Sequence, residues 1–180
     1  MAAHTYTSAY PPGVQVDAGI KTFFEEFYQT SDSPDAHDRY TEYFTKDATL
    51  IMASKKGVGR DVEQLGYTPA DTVTLEERLL VKGEKYIRPA DQGTPTEILA
   101  IRKGAWALVS SRLHTPSKIF PFGEGADELM LCGSVQYVLR DGRKSEVEWA
   151  ARANLVKVEG EWKLSFYQVY LDTAAMQNAK

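Results

Sequence analysis

The C-terminal part of this 180-residue sequence concentrates the side chains whose spacing could support chemistry. Residues 145–158 and 162–171 read as two β-strands, and side chains two apart on a strand share one face. A two-residue turn at Glu159-Gly160 would pair Arg152 with Tyr167. This register predicts one sheet face with the polar residues Glu148, Arg152, Asn154, Ser165 and Tyr167.

A second two-residue turn, at Asp141-Gly142, would add the strand 129–139 to this face. The apolar residues that it predicts there are Leu129, Leu131, Val135, Tyr137 and, from the last strand, Val169. An apolar wall with a few convergent polar groups is typical of a small-molecule site. Arginine stays protonated in proteins, so Arg152 would hold an anionic or enolate-like oxygen with Tyr167 and would not abstract a proton. Arg152 directed to solvent on the outer, convex face would overturn this assignment, and the enzyme hypothesis with it.

His114 is the only histidine within the predicted sheet, and imidazole is the usual acid or base near neutral pH. We therefore predict that His114 moves the proton, with Glu148 and Asn154 as ligand-binding residues. Tyr28 and Tyr40 lie on the buried stripes of two helices, where their hydroxyls could reach the same site. These residues also have structural alternatives: an ion pair for Arg152, a rim charge for Glu148, a structural role at a strand end for His114, and core packing for the tyrosines.

Helices precede the strands in the sequence. The first helix is capped by Asp17 and has an apolar stripe at helical spacing: Ile20, Phe23, Phe24, Phe27 and Tyr28. The second is predicted to start at Ser33-Pro34, and a short strand follows at 47–53 with a turn at 55–57. The third helix spans about 97–110, after a capping box at 94–97. Strands at about 112–120, 129–139, 145–158 and 162–171 complete an α+β domain.

Residues 62–96 do not fit this pattern, because they are rich in glycine and proline and lack a long periodic stretch. Removing them joins Gly59-Arg60-Asp61 to Glu97 and gives an uninterrupted helix. We interpret them as an insertion, and a second hypothesis is translated intron. The predicted organisation is a flexible tail at 1–15, a single domain at 16–172 with this insertion, and a C-terminal tail at 173–180.

Composition argues against several functional classes. A net charge of −4 without a Lys/Arg cluster argues against nucleic acid. A lone Cys132 and three separated histidines predict no disulfide and no metal site. The start lacks the basic and apolar regions of a signal peptide, and no apolar run reaches membrane-span length. We expect a soluble, cytoplasmic protein without a cofactor.

The order of elements resembles a known superfamily. Three helices, then a meander ending in Gly160-Glu161-Trp162-Lys163 and an aromatic last strand, are similar to the SnoaL-like branch of the nuclear-transport-factor-2-like superfamily. Gly59-Arg60-Asp61, His114 at the start of a strand, and the segment 167–172 resemble fungal members. The likeness covers about 16–61 and 97–172. It implies a cone in which three N-terminal helices pack on a curved antiparallel sheet.

The resemblance leaves two functions open. The branch includes polyketide cyclases, ketosteroid isomerases, dehydratases and members without known catalysis, so fold alone does not decide function. One hypothesis is a cofactor-independent cyclase, isomerase or dehydratase (an isomerase or lyase of secondary metabolism) for a polyketide-like or terpenoid metabolite. The alternative is a non-catalytic ligand-binding or dimeric assembly module. Arg152 stands where ketosteroid-isomerase-like relatives have a carboxylate, which favours the module, whereas His114 and Glu148 favour the enzyme.

The partners follow from the same face assignment. We expect a small hydrophobic metabolite as the ligand and a homodimer formed through the opposite sheet face. The residues predicted on that second face are Met130, Cys132, Trp149, Trp162, Leu164, Phe166, Gln168 and Tyr170. A large exposed apolar patch usually marks an interface.

Overall fold

The computed structural model of the chain describes residues 4–59, 98–175 and 179. Within them the helices are α1 (Ala18–Ser31), α2 (His37–Glu42) and α3 (Ile98–Trp106). The strands are β1 (Phe44–Met52), β2 (Lys55–Val58), β3 (Val109–Pro121), β4 (Glu128–Leu139), β5 (Lys144–Val158) and β6 (Glu161–Leu171). The helices and strands confirm the predicted α+β class.

The strands form one curved, six-stranded sheet in the order β2-β1-β6-β5-β4-β3. Strands β3 to β6 are an antiparallel meander, as predicted. Strand β1 runs parallel to β6, and β2 pairs antiparallel with β1. The sheet is therefore mixed, since the β1–β6 pair is parallel and the other neighbouring strands are antiparallel.

Helix α1 packs its apolar stripe against the concave side of the sheet. Asp17 caps its first turn by accepting a hydrogen bond from the Gly19 amide at 2.7 Å, as the sequence predicts. The five stripe residues from Ile20 to Tyr28 are all buried in the main core. The helical spacing of large apolar residues thus determined which side of α1 faces the sheet.

Several element boundaries differ from prediction, among them the starts of β1 at Phe44 and of β3 at Val109. Helix α2 begins at His37, because the Ser33 hydroxyl donates back to the Gln29 carbonyl at 3.0 Å and completes the end of α1. Residues 55–58 form strand β2, since the turn comes earlier, at Ala53 with φ of 54°. Helix α3 ends at Trp106, short of the predicted end at about 110, and Leu108 beyond it is 69 % exposed.

The described residues on the two sides of the segment 60–97, Gly59 and Ile98, lie next to each other. The amide of Ile98 donates a hydrogen bond to the carbonyl of Gly59 at 3.2 Å. The predicted insertion at 62–96 and the capping box at 94–97 lie outside the described residues. The two ends that flank residues 60–97 are therefore in contact.

The N-terminal residues lie along β3, which is an edge strand of the sheet. Ala9 exchanges two backbone hydrogen bonds with this strand, each 3.0 Å long, and the His4 ring lies 2.9 Å from the His114 carbonyl oxygen. Tyr6 is partly buried against the core. Among the described residues, no helix is long and apolar enough to cross a membrane.

Candidate functional site

Strand β5 presents the opposite face from the one predicted, because the register on both of its sides differs by one residue. The β4–β5 connection is a three-residue loop, 140–142, in which Gly142 has φ of 90°. On the other side, Ser165 is an extra, bulged residue of β6, so Arg152 pairs with Gln168 and not with Tyr167. A one-residue shift sends every side chain of a strand to the other face.

The predicted group of polar residues is therefore divided. Arg152, Glu148 and Asn154 lie on the outer face, and their predicted place in the site is wrong. Arg152 forms an ion pair with Glu128 at 3.0 Å, stacks over the Phe166 ring and remains 43 % exposed. By the criterion set in the sequence analysis, this position overturns the predicted site and the enzyme hypothesis that was built on it.

The other predicted residues lie on the inner side or in the core. Leu131, Val135, Tyr167 and Val169 are buried on the inner face of the sheet, and Tyr28 and Tyr40 are buried on the helices. Trp149 and Leu164, which were predicted on the outer face, are both buried on the inner side. The apolar set of β5 at residues 147, 149, 151, 153 and 155 was a sequence signal for this orientation.

On the inner face His114 contacts Asp32, a residue that was not among the predicted site residues. Asp32 follows the last turn of α1, and its Oδ1 lies 2.5 Å from the His114 Nδ1. Its Oδ2 accepts the backbone amide of His114 at 2.7 Å. The Asp32 side chain is 5 % exposed and that of His114 is 14 % exposed. Asp32 lies four positions after Tyr28, on the buried helical stripe, and that spacing is the signal that could have found it.

The surroundings of His114 suit a neutral imidazole. Burial lowers the pKa of His114, and the hydrogen bond and charge of Asp32 partly oppose this effect. With the Nδ1 hydrogen donated to Asp32, the lone pair is on Nε2, which has no hydrogen-bond partner among the described residues. A carboxylate that fixes the tautomer of a neutral histidine prepares the other nitrogen to accept a proton.

A pair of tyrosine hydroxyls lies next to this histidine. The hydroxyl oxygens of Tyr28 and Tyr167 are 2.9 Å apart, and both side chains are buried. Burial is the main factor that raises the pKa of each tyrosine well above its usual value, so both stay neutral near pH 7. One hydrogen joins the two oxygens, and the second hydroxyl hydrogen is free to donate to a ligand.

Trp149 completes the group. The Tyr28 ring centroid lies 5.3 Å from both the His114 ring and the Trp149 ring, and the last two rings are 6.1 Å apart. The Trp149 indole nitrogen is buried and has no hydrogen-bond partner among the described residues. Gly133 makes room for this indole, since a Cβ there would lie 2.8 Å from Cζ2 of Trp149 and 2.4 Å from the Thr115 carbonyl oxygen.

Two buried arginines adjoin the pair. Arg112 lies two positions before His114, on the same face of β3, and its Nε is 3.6 Å from Asp32. Arg102 lies on the buried stripe of α3 and is 2 % exposed. Strand parity and helical spacing are the signals that could have identified both residues.

The described residues also form an open groove of about 470 Å³. It lies at the other end of α1, between that helix and the β5–β6 turn, and is lined by Phe23, Tyr43, Trp162 and charged residues of both signs. The helical rise places Gly19 in this groove about 20 Å from Asp32. Within residues 4–59, 98–175 and 179, no group of three His, Cys, Asp or Glu side chains is arranged to hold a metal ion.

Comparisons with known proteins show similarity at the level of structure. No family model matches the sequence, and no curated protein matches it either. A protein provisionally identified as a scytalone dehydratase, from Novosphingobium aromaticivorans, has a TM-score of 0.56 at 14 % identity, over 86 % of this chain and 83 % of its own. A type 2 hexachlorocyclohexane dehydrochlorinase, LinA, has a TM-score of 0.52 at 13 % identity, over 86 % and 84 %.

Two further structures support the same fold. ActVI-ORFA from Streptomyces coelicolor has a TM-score of 0.51 at 16 % identity, over 86 % of this chain and 96 % of its own. An NTF2-like protein of unknown function from Exiguobacterium has a TM-score of 0.50 at 12 % identity, over 87 % and 99 %. At these identities the likeness shows the fold alone.

Proposed function

Because the chain has the nuclear-transport-factor-2-like fold, we propose that it is a cofactor-independent enzyme that moves a proton on a small hydrophobic metabolite. The observation that carries this proposal is the Asp32–His114 pair, with Oδ1 and Nδ1 2.5 Å apart at the inner face of the sheet. The reaction class is an isomerisation, cyclisation or elimination that starts by removing a hydrogen next to a carbonyl.

Each step has a residue with suitable chemistry. His114 Nε2 accepts the proton, and Asp32 stabilises the imidazolium that forms. The negative charge that develops on the substrate oxygen is stabilised by the free hydroxyl hydrogen of the Tyr28–Tyr167 pair and by the indole N–H of Trp149. This assignment keeps the predicted roles of His114 and Tyr167 and gives the role proposed for Arg152 to residues of the inner face.

The proposed substrates are polyketide-like or terpenoid metabolites of secondary metabolism. The inner face is lined by apolar side chains, including Leu131, Val135 and Val169, which suits a hydrophobic ligand. Two of the similar structures carry the names of elimination enzymes, a dehydratase and a dehydrochlorinase. These names support the reaction class by analogy of fold only.

A non-catalytic ligand-binding module is the second candidate. The rings of Tyr28 and Trp149 occupy the space beside His114, and the interior is closely packed. A ligand that enters must displace one of these rings or approach the exposed edge of His114. This crowding favours a module in which the Asp32–His114 pair serves only as a structural hydrogen bond.

Deuterium exchange separates the two functions without knowledge of the substrate. The purified protein is incubated in D₂O with a panel of cyclic and aryl ketones, and deuterium incorporation is measured by mass spectrometry. We expect His114→Gln and Asp32→Asn to slow exchange by about 10²–10⁴-fold, as is typical for general acid–base groups. Glu148→Gln, an exposed change on the outer face, is the matched control.

Two results would contradict the enzyme proposal. Exchange that is equally fast in His114→Gln would exclude His114 as the base. Binding of a ketone, seen as a change in tryptophan fluorescence, without exchange above the buffer rate would support the binding module.

We also propose that the protein forms a homodimer through the outer sheet face. Met130 and Tyr170 are exposed there, and Phe166 is partly exposed beside them. Trp149 and Leu164, which belonged to the predicted patch, are buried in the core and do not contribute. Sedimentation of the wild type at micromolar concentration should give a dimer, and Tyr170→Lys should give a folded monomer whose melting temperature no longer depends on protein concentration. A monomeric wild type would refute this interface.

A further inference from the structure

The C-terminal end of α1 is held by two arginines from different elements. Arg102 of α3 donates to three carbonyl oxygens around Asp32: those of Ser31 at 2.6 Å, Ser33 at 2.7 Å and Thr30 at 3.1 Å. Arg112 of β3 donates from Nε to the Ser31 carbonyl at 3.0 Å and from Nη2 to the Ser31 hydroxyl at 2.9 Å. The residues on both sides of Asp32 are thus fixed by charged donors.

Helix physics explains why such donors are needed here. The last carbonyl groups of a helix have no partner within the helix, and they form the negative end of its dipole. Asp32 is the C-cap of α1, so its carboxylate stands at the end that disfavours negative charge. Two guanidinium groups offset this effect and satisfy the buried carbonyl oxygens together.

Packing restricts both guanidinium groups. The Arg102 group lies 4.5 Å from the centre of the Tyr40 ring and 5.6 Å from that of Trp106, and the Arg112 group lies 4.6 Å from Trp106. Burial lowers the pKa of Arg102 to about 10, which leaves it protonated near pH 7. A rigid, planar donor between two aromatic rings can position a neighbouring group better than a flexible ammonium.

We propose that Arg102 and Arg112 are positioning residues for the proposed reaction, which hold Asp32 in hydrogen-bond contact with His114. The proposal rests on the proposed function for its meaning but is tested without a substrate. The competing role is that of a helix cap that contributes stability and leaves the Asp32–His114 contact unchanged.

The pKa of His114 distinguishes the two roles by its sign. The groups that face His114 are Asp32 and Tyr28 of α1, Arg102 of α3, Arg112 of β3 and His4 of the N-terminal segment. Tyr6 of the same segment faces Asp32. Asp32 raises the pKa of His114, and both arginines lower it. Loss of an arginine charge alone would therefore raise the pKa, whereas loss of the Asp32 contact would lower it.

The experiment uses the full chain and nuclear magnetic resonance. Arg102→Lys keeps the charge but cannot donate to three carbonyls in a plane, and Lys103→Met, an exposed change on the same helix, is the matched control. We measure the pKa of His114 from its ring resonances and the downfield signal of its Nδ1 hydrogen. In Arg102→Lys the pKa should fall by about 1, because a carboxylate neighbour accounts for a shift of that order, and the Nδ1 signal should be lost.

A pKa that stays constant or rises in Arg102→Lys, with the Nδ1 signal retained, would overturn the proposal. If this variant does not fold, Arg112→Lys is measured in the same way and decides it. Absence of turnover in the wild type would refute the proposed function but would leave these resonances readable, so the two failures are distinguishable.

Discussion

Deleting residues 62–96 is expected to leave a folded protein at least as stable as the full chain. The reason is the hydrogen bond from the Ile98 amide to the Gly59 carbonyl, 3.2 Å long, which already joins the two sides of this segment. After the deletion, Asp61 is followed directly by Glu97, so Ile98 becomes the fourth residue after Gly59. That spacing is the one at which an α-helix forms its N–H to C=O hydrogen bonds.

The magnitude follows from loop closure. Shortening the connection between Gly59 and Ile98 from about 38 residues to about 3 reduces the entropy cost of closing it by about 2 kcal/mol. For a protein of this size, that corresponds to a melting temperature about 4–8 °C higher. Each large apolar side chain of 62–96 that packs into the core would act in the opposite direction, by about 2–5 kcal/mol.

Urea unfolding followed by circular dichroism measures the difference. The matched control is deletion of 62–95, which keeps Thr96 and moves Ile98 to the fifth position after Gly59. This control should be less stable than the first deletion by about 1 kcal/mol, because Glu97 then takes the fourth position and the buried Ile98 is shifted by one residue in the helix. A 62–96 deletion that fails to fold, or that is no more stable than the control, would refute the reasoning.

The remaining predictions concern pH and three substitutions. Because the folded pKa of His114 lies below its ordinary value, the unfolded chain takes up the proton first, so the free energy of unfolding should fall as the pH drops below about 6.5. The comparison is made in a His37→Gln background, which removes the other histidine with a lowered pKa. In that background His114→Gln should reduce the dependence of the free energy of unfolding on pH. An unchanged slope would show that other groups cause the dependence. Tyr28→Phe should lower the free energy of unfolding by about 1–3 kcal/mol, because it leaves the buried Tyr167 hydroxyl without its partner. The double variant Tyr28→Phe/Tyr167→Phe should lose less than the sum of the two single variants. Strict additivity in urea unfolding would mean that the two hydroxyls do not interact. Arg152→Ala should cost less than about 1 kcal/mol and leave deuterium exchange unchanged, and a loss of exchange would return Arg152 to the site.

Local patterns in the sequence determined most of the secondary structure. The Asp17 cap and the apolar stripe from Ile20 to Tyr28 define α1, and the glycines at 142 and 160 mark the meander turns. These signals involve neighbouring residues, so they can be interpreted without knowledge of the rest of the fold. The face of β5 was also present in the sequence, in the alternation that buries Val147 and Trp149. The predicted register assumed two-residue turns and therefore placed these residues on the outer face. Burial of the apolar set is the stronger constraint, and the structure follows it.

Only the tertiary structure decided which residues form the candidate site. The bulge at Ser165 has no local signature in the sequence, and it separates Arg152 from Tyr167. Asp32 and His114 are 82 positions apart, and they meet because the end of α1 packs against β3. Such a contact depends on how a whole helix lies on a sheet, whereas sequence patterns report only the few residues around each position. The chemistry of each side chain could therefore be inferred from the sequence, but its partner could not.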